Sequence, residues 1–173
     1  MNFDRYINSQ IRHDLAEKMV FIGGPRQVGK TTLAKTFIQE PEQYLNWDLS
    51  ADRRLILANQ IDPRLELVVL GEIHKFKKWR GLLKGYYDKY SPNLNFIVTG
   101  SARLDHFRKG GDSLVGRYHY LRLHPLSLSE ISRSATPSDL EALLTFGGFP
   151  EPFLKQSTTH LNRWQRERVM RVI

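Results

Sequence analysis

Met19-Val20-Phe21-Ile22-Gly23-Gly24-Pro25-Arg26-Gln27-Val28-Gly29-Lys30-Thr31-Thr32 is the stretch from which the rest of this 173-residue chain is read. Its first four residues form a short apolar run that reads as a buried strand. Gly24 to Thr31 then follows the spacing G-x-x-x-x-G-K-T, that of a phosphate-binding P-loop. Gly24 and Gly29 let the backbone curl so that successive N–H groups face an anion. In such a loop Lys30 reaches the β- and γ-phosphates, and the Thr31 hydroxyl ligates Mg²⁺. Pro25, Arg26, Gln27, Val28 and Thr32 complete the nucleotide-binding set. A helix is expected over residues 31–38, its N-terminal dipole facing the same charge. The competing reading is an ordinary glycine-rich turn. A strand before the motif and a helix after it argue for the P-loop.

Composition narrows the classes. Hydrophobic residues make up 40% and charged residues 25%, as in folded globular domains, which argues against wholesale disorder. No apolar stretch approaches the roughly 20 residues that span a bilayer, and the N-terminus lacks the basic-then-apolar layout of a signal peptide. A cytoplasmic location without a membrane partner is the expectation. With no cysteine, disulfides, thiolate zinc sites and cysteine nucleophiles are excluded. The net charge of +8 fits nucleic-acid contact and equally a site that must hold polyphosphate.

Phe3, Ile7, Ile11 and Leu15 recur every four residues and predict an amphipathic helix over 2–17. Strands are expected at 18–23, 44–47, 67–70, 94–99 and 118–123, the last half-exposed, with a helix over 51–59. Leu67-Val68-Val69-Leu70 is continuously apolar, as in a strand buried on both faces. Trp79, Leu82, Leu83, Tyr86, Tyr87 and Tyr90 make a helical stripe read as core packing, which Pro92 ends. Residues 102–117 read as a helix and a glycine-rich loop. Helices are expected at 127–133, 138–146 and 159–172, with a turn at Gly147-Gly148-Phe149-Pro150. Helices alternating with apolar strands imply an α/β fold, a parallel sheet with helices on both faces. The division expected is a core over 1–125 and a helical lid, or the start of a further region, over 126–173.

A second acidic site of a P-loop protein lies at the end of another central strand. Glu72, just past the apolar run 67–70, is the candidate that orients and polarises the attacking water and reaches Mg²⁺ through water. Its alternative is a surface carboxylate capping the next helix. Gly71 stands where an aspartate ordinarily binds the metal, so weaker Mg²⁺ retention and slower hydrolysis are expected. Thr99 or Ser101, at the end of strand 94–99, offers a hydroxyl to the γ-phosphate or the water; an ordinary turn is the alternative. Among Arg103, Arg108 and Arg117, Arg117 is the best candidate for an arginine finger acting on a neighbouring subunit. The six histidines show no metal-ligand spacing. Arg163, Arg166, Arg168 and Arg171, and separately Lys75, Lys77, Lys78, Arg80 and Lys84, form basic clusters that are either solvated or meet DNA.

These stretches together resemble a known family. Gly23 to Leu33, Tyr44-Leu45-Asn46-Trp47-Asp48, Glu72-Ile73-His74-Lys75 with Trp79, Thr99-Gly100-Ser101, Leu114 to Tyr118, Leu123 to Glu130 and Gly147 to Glu151 occur in its order. The chain is similar to the N-terminal module of prokaryotic AAA+ P-loop ATPases, the AAA_14 group associated with a nuclease-like C-terminal domain, DUF4143. The resemblance implies a three-layer fold with sheet order 5-1-4-3-2, ATP and ADP as nucleotides, Mg²⁺, and assembly into homo-oligomers. It places the Walker A role on Lys30 and Thr31, the Walker B glutamate role on Glu72, a sensor role on Thr99 or Ser101, and the arginine role on Arg117. Relatives continue past Ile173, so a truncated module without its C-terminal effector domain is expected. ATP hydrolysis is the leading function. A non-hydrolysing switch, or a DNA-binding module whose assembly nucleotide controls, are the rivals.

Overall fold

The computed structural model describes residues 3–100, 114–132 and 134–169. Its sheet has five parallel strands: β1 (Met19–Gly23), β2 (Tyr44–Asn46), β3 (Leu67–Gly71), β4 (Asn95–Thr99) and β5 (Tyr118–Arg122), in the order β2-β3-β4-β1-β5. Read from the other edge, this is the expected 5-1-4-3-2. Register runs Leu45↔Leu70, Leu70↔Val98 and Val98↔Phe21, so these side chains share one face. That face packs against α3 (Ser50–Leu57) through Ile56 and against α4 (Trp79–Tyr90) through Trp79, Leu83, Tyr86 and Tyr90. Val20, Ile22, Val69 and Ile97 alternate to the opposite face, where α1 (Asn8–Leu15) and α2 (Lys30–Lys35) meet β1, β3 and β4. Burial on both faces explains the unbroken apolar runs of β1, β3 and β4. Phe96, stacked 5.6 Å from Tyr86, contributes about 2–3 kcal/mol by its burial alone.

Two element lengths depart from expectation for local reasons. α1 begins at Asn8, not residue 2. Phe3 instead packs edge-on to Phe153, and Arg5 and the Tyr6 N–H bond to Glu130. α2 stops at Lys35, because the Thr36 and Phe37 N–H groups donate to Leu33 and Ala34, tightening its last turn. The Thr36 hydroxyl also caps the Leu33 carbonyl at 2.7 Å.

At the outer edge, β5 pairs with β1 from Met19↔Tyr118 to Gly23↔Arg122. The Tyr120 hydroxyl lies where a side chain on Gly23 would stand, and the Leu123 N–H donates to the Gly23 carbonyl at 2.9 Å. The Leu123 carbonyl in turn fills the place of any Cβ on Gly24.

Residues 7–123 form one compact unit. The other contains residues 3–6 and the described residues from His124 onward, with four helices: α5 (Leu128–Ile131), α6 (Pro137–Phe146), α7 (Pro150–Lys155) and α8 (Thr158–Val169). Sequence reading expected a turn where α7 begins. Pro150 opens that helix instead, its fixed φ and missing N–H costing nothing in a first turn. Capping boxes, Ser127 with Glu130 and Thr136 with Asp139, start α5 and α6.

Glu130 is the hub of this unit. Its carboxylate accepts from Arg5 Nε at 2.7 Å, Tyr6 N at 3.1 Å, Ser127 N at 2.8 Å and Ser127 Oγ at 2.7 Å. Burial alone would raise its pKa, but these donors outweigh it and hold the carboxyl below 4.5. A depressed carboxylate pKa stabilises the fold above 4.5 and loses that contribution as pH falls through the lower folded value. The denaturation midpoint of this unit should therefore fall as solutions are taken from about pH 6 to about pH 3, and an Arg5→Ala chain should show a shallower decline.

Candidate phosphate-binding site

All five strands run parallel, so Gly23, Asn46, Gly71, Thr99 and Arg122 end at one edge of the sheet, and the loops leaving that edge form the site. The loop after β1 turns through left-handed backbone at Gly24 (φ 137°), Gln27 (φ 64°) and Gly29 (φ 95°). Val28 is fully buried and anchors it, while Arg26 and Gln27 are exposed on its rim and Pro25 is half-buried. Lys30 is only 9% exposed. Its ammonium donates to the carbonyls of Gly24 at 3.0 Å and Pro25 at 2.6 Å, so the cation sits inside the curl. Thr31 and Thr32 follow on the exposed first turn of α2. A buried ammonium surrounded by inward-curling backbone is a receptor for phosphate oxygens.

Glu72 ends β3 in left-handed backbone (φ 58°, ψ 16°), a conformation that costs a non-glycine residue about 1–3 kcal/mol. Its N–H donates to the Thr99 carbonyl at 3.0 Å, tying the ends of β3 and β4 together. Glu72 Oε2 lies 3.3 Å from Lys75 Nζ and 3.9 Å from His74 Nε2. Lys75 also meets Asp48 at 2.5 Å; that hydrogen bond, ahead of the one to Glu72, raises the ammonium pKa against the opposing effect of burial. Thr99 is 1% exposed, and its hydroxyl has no hydrogen-bond partner among the described residues. Leaving such a hydroxyl dry costs about 1–3 kcal/mol, which a polar ligand at this edge would recover.

Gly71 registers between Asn46 and Thr99 and offers no carboxylate. A Cβ there would stand 2.6 Å from the Tyr44 hydroxyl. The protein's share of a P-loop Mg²⁺ site is a Thr or Ser hydroxyl and a strand-end carboxylate. Here Gly71 leaves the strand-end carboxylate out. Among the described residues no group of three or more His, Asp or Glu is placed to hold a metal. The donor set therefore does not fit Mg²⁺ as such sites ordinarily do.

Lys30, Thr31, Glu72 and Thr99 thus come to one edge, whereas Arg117 does not join them. It precedes β5, its carbonyl accepts from Met19 N at the start of β1, and its Nε bonds Asp88 at 2.9 Å. The five residues of β1 put it roughly 16 Å from the loop. Ser101, Arg103, Arg108 and Arg171 lie outside the described residues. In the basic clusters, Arg168 stacks on Phe149 and Trp164 at 4.1 and 4.6 Å, and Lys84 pairs with Asp88 at 3.8 Å. Sequence reading missed Tyr44 and the Asp48–Lys75 pair as parts of the site. Their signal was the pairing of β2 with β3, which no local pattern reveals.

Residues 16–132 match the model of a family described as an AAA domain, AAA_14. An uncharacterized protein of Mycobacterium bovis, Mb2031c, is 26% identical over 153 residues, covering 85% of this chain and 33% of that protein. The chain thus spans about a third of that relative's length. Among solved structures, a signal transduction ATPase with numerous domains from Pyrococcus horikoshii superposes with TM-score 0.49 at 19% identity, over 82% of this chain and 27% of the other. The Aeropyrum pernix ORC1 protein, solved in complex with DNA, gives TM-score 0.47 at 14% identity, over 79% and 50%.

Proposed function

The chain belongs to the AAA-domain family AAA_14, and from that premise we propose that it binds ATP in the Gly24–Thr31 loop and hydrolyses it slowly. The observation that carries the reading is Lys30, buried inside the left-handed loop with its ammonium 2.6–3.0 Å from two loop carbonyls. An incoming triphosphate exchanges those carbonyls for β- and γ-phosphate oxygens, while the loop N–H groups hold the rest of the anion. Thr99 offers its buried hydroxyl to the terminal phosphate or to the attacking water. Glu72 accepts a hydrogen bond from that water and turns its lone pair toward phosphorus. Two features make the reaction slow. Lys75 competes for the Glu72 carboxylate at 3.3 Å, and Gly71 contributes no charge. The same features favour a second reading, a switch that reports bound ATP and rarely turns it over. Arg117, at the far edge of its own sheet, can act as an arginine finger only on the site of another copy in a homo-oligomer.

Equilibrium ATP binding and steady-state phosphate release, beside a Lys30→Ala control, test this. Loss of one charge-assisted contact weakens ATP binding by about 10–100-fold. Equal affinity in the two chains, or no ATP binding by the folded native chain, overturns the assignment. Binding without release selects the switch.

A further inference from the structure

Tyr44 begins β2 and pairs with Val69, two residues before Gly71 on the same face of β3. One such step along a strand is about 6.6 Å, close to the reach of a tyrosine side chain. The phenol therefore lies along β3 with its hydroxyl 2.6 Å from where a Gly71 Cβ would stand, and the ring carbons Cζ and Cε2 are 3.1 and 3.2 Å from it. Lys35 Nζ, on α2, sits 4.1 Å over the ring and closes it in from the helix side. Thr31, the residue whose hydroxyl a P-loop turns toward its metal, lies in the first turn of the same helix α2 that carries Lys35.

The geometry points to a substitution of function: the Tyr44 phenol occupies the place of the missing strand-end carboxylate, so that this chain binds ATP with little dependence on Mg²⁺. The inference rests on the ATP-binding reading and adds the metal requirement to it. A tyrosine differs from an aspartate in the one respect that matters to a cation. A phenol is neutral near pH 7 and supplies no charge to a metal. Lys30 then carries the neutralisation of the phosphates within this chain.

ATP affinity measured calorimetrically with MgCl₂, and again with EDTA, tests the inference in three chains: native, Gly71→Asp, and Tyr44→Phe with Gly71→Asp. The native affinities should agree within about threefold, whereas the double variant should gain about 10–100-fold when Mg²⁺ is added, the usual worth of a group that orders or completes a metal site. Gly71→Asp alone should show a smaller gain and a lower melting temperature, because the hydroxyl and the new side chain compete for one place. Adding Tyr44→Phe should recover the melting temperature. A native chain whose affinity rises tenfold or more with Mg²⁺ overturns the inference. So does a folded double variant with no gain, or a single variant with the full gain and an unchanged melting temperature. A folded native chain that binds no ATP in either buffer overturns the ATP-binding reading itself, and this inference with it, so the two failures are told apart.

Discussion

Glu72→Gln lowers steady-state phosphate release by about 10²–10⁴-fold, the usual contribution of a general base, while ATP affinity stays within about threefold of native. Glutamine keeps the length and planarity of the side chain and faces the same left-handed backbone at φ 58°, so the turn that ends β3 is unchanged. What is lost is the negative oxygen that accepts a proton from water. Lys75 keeps its 2.5 Å partner in Asp48, so the neighbouring ion pair does not collapse. The Lys30 ammonium is held by the Gly24 and Pro25 carbonyls, whereas the Glu72 carboxylate lies beside Lys75 and His74, which is why binding and turnover should separate. Release measured by a coupled phosphate assay, with ATP titrated in parallel, decides the matter. Unchanged release would return Glu72 to the role of a surface carboxylate. A parallel loss of affinity would make it part of the binding apparatus.

Arg5→Ala destabilises the unit built around Glu130 by about 3–5 kcal/mol, the cost of stranding one member of a buried ion pair. The side chains of Arg5 and Glu130 are only 6% and 3% exposed, and Arg5 also donates to the His124 carbonyl. With the guanidinium gone, the carboxylate keeps its Ser127 and Tyr6 donors but loses its countercharge. Arg5→Met with Glu130→Gln should recover most of the loss, because the glutamine still accepts from Ser127 and no charge is left buried. Denaturant unfolding of both variants, followed through Trp164 fluorescence, measures the difference. Equal stability of native and Arg5→Ala chains would remove the pair from any account of how this unit holds together.

Much of this architecture was legible because its causes are local. The apolar runs of β1, β3 and β4 announce strands buried on both faces, and the stripe from Trp79 to Tyr90 announces α4; all four appear within a residue or two of expectation. The loop was legible for the same reason, since its glycines and lysine are set by spacing alone. What escaped depends on distant partners. Phe3 keeps the helical period, yet it packs on Phe153, and Arg5 is spent on Glu130, so α1 starts late. Gly71 was visible as a departure that should slow hydrolysis, but the phenol beside it was not, because it comes from residue 44 through strand register. The parallel pairing of β5 with β1 places Arg117 at the edge away from its own loop, as a role on a neighbouring subunit requires.

The outer strand has a consequence for how damage spreads. Because Tyr120 abuts Gly23 and the Leu123 carbonyl abuts Gly24, β5 is the mould against which the phosphate loop is cast. Neither glycine can gain a side chain unless that wall gives way: at Gly23 the Tyr120 phenol must turn aside, and at Gly24 the Leu123 backbone must move. Tyr120 and Leu123, which lie outside the loop, therefore bear on its shape. Variation along this border strand would register as altered ATP affinity at a site one strand away.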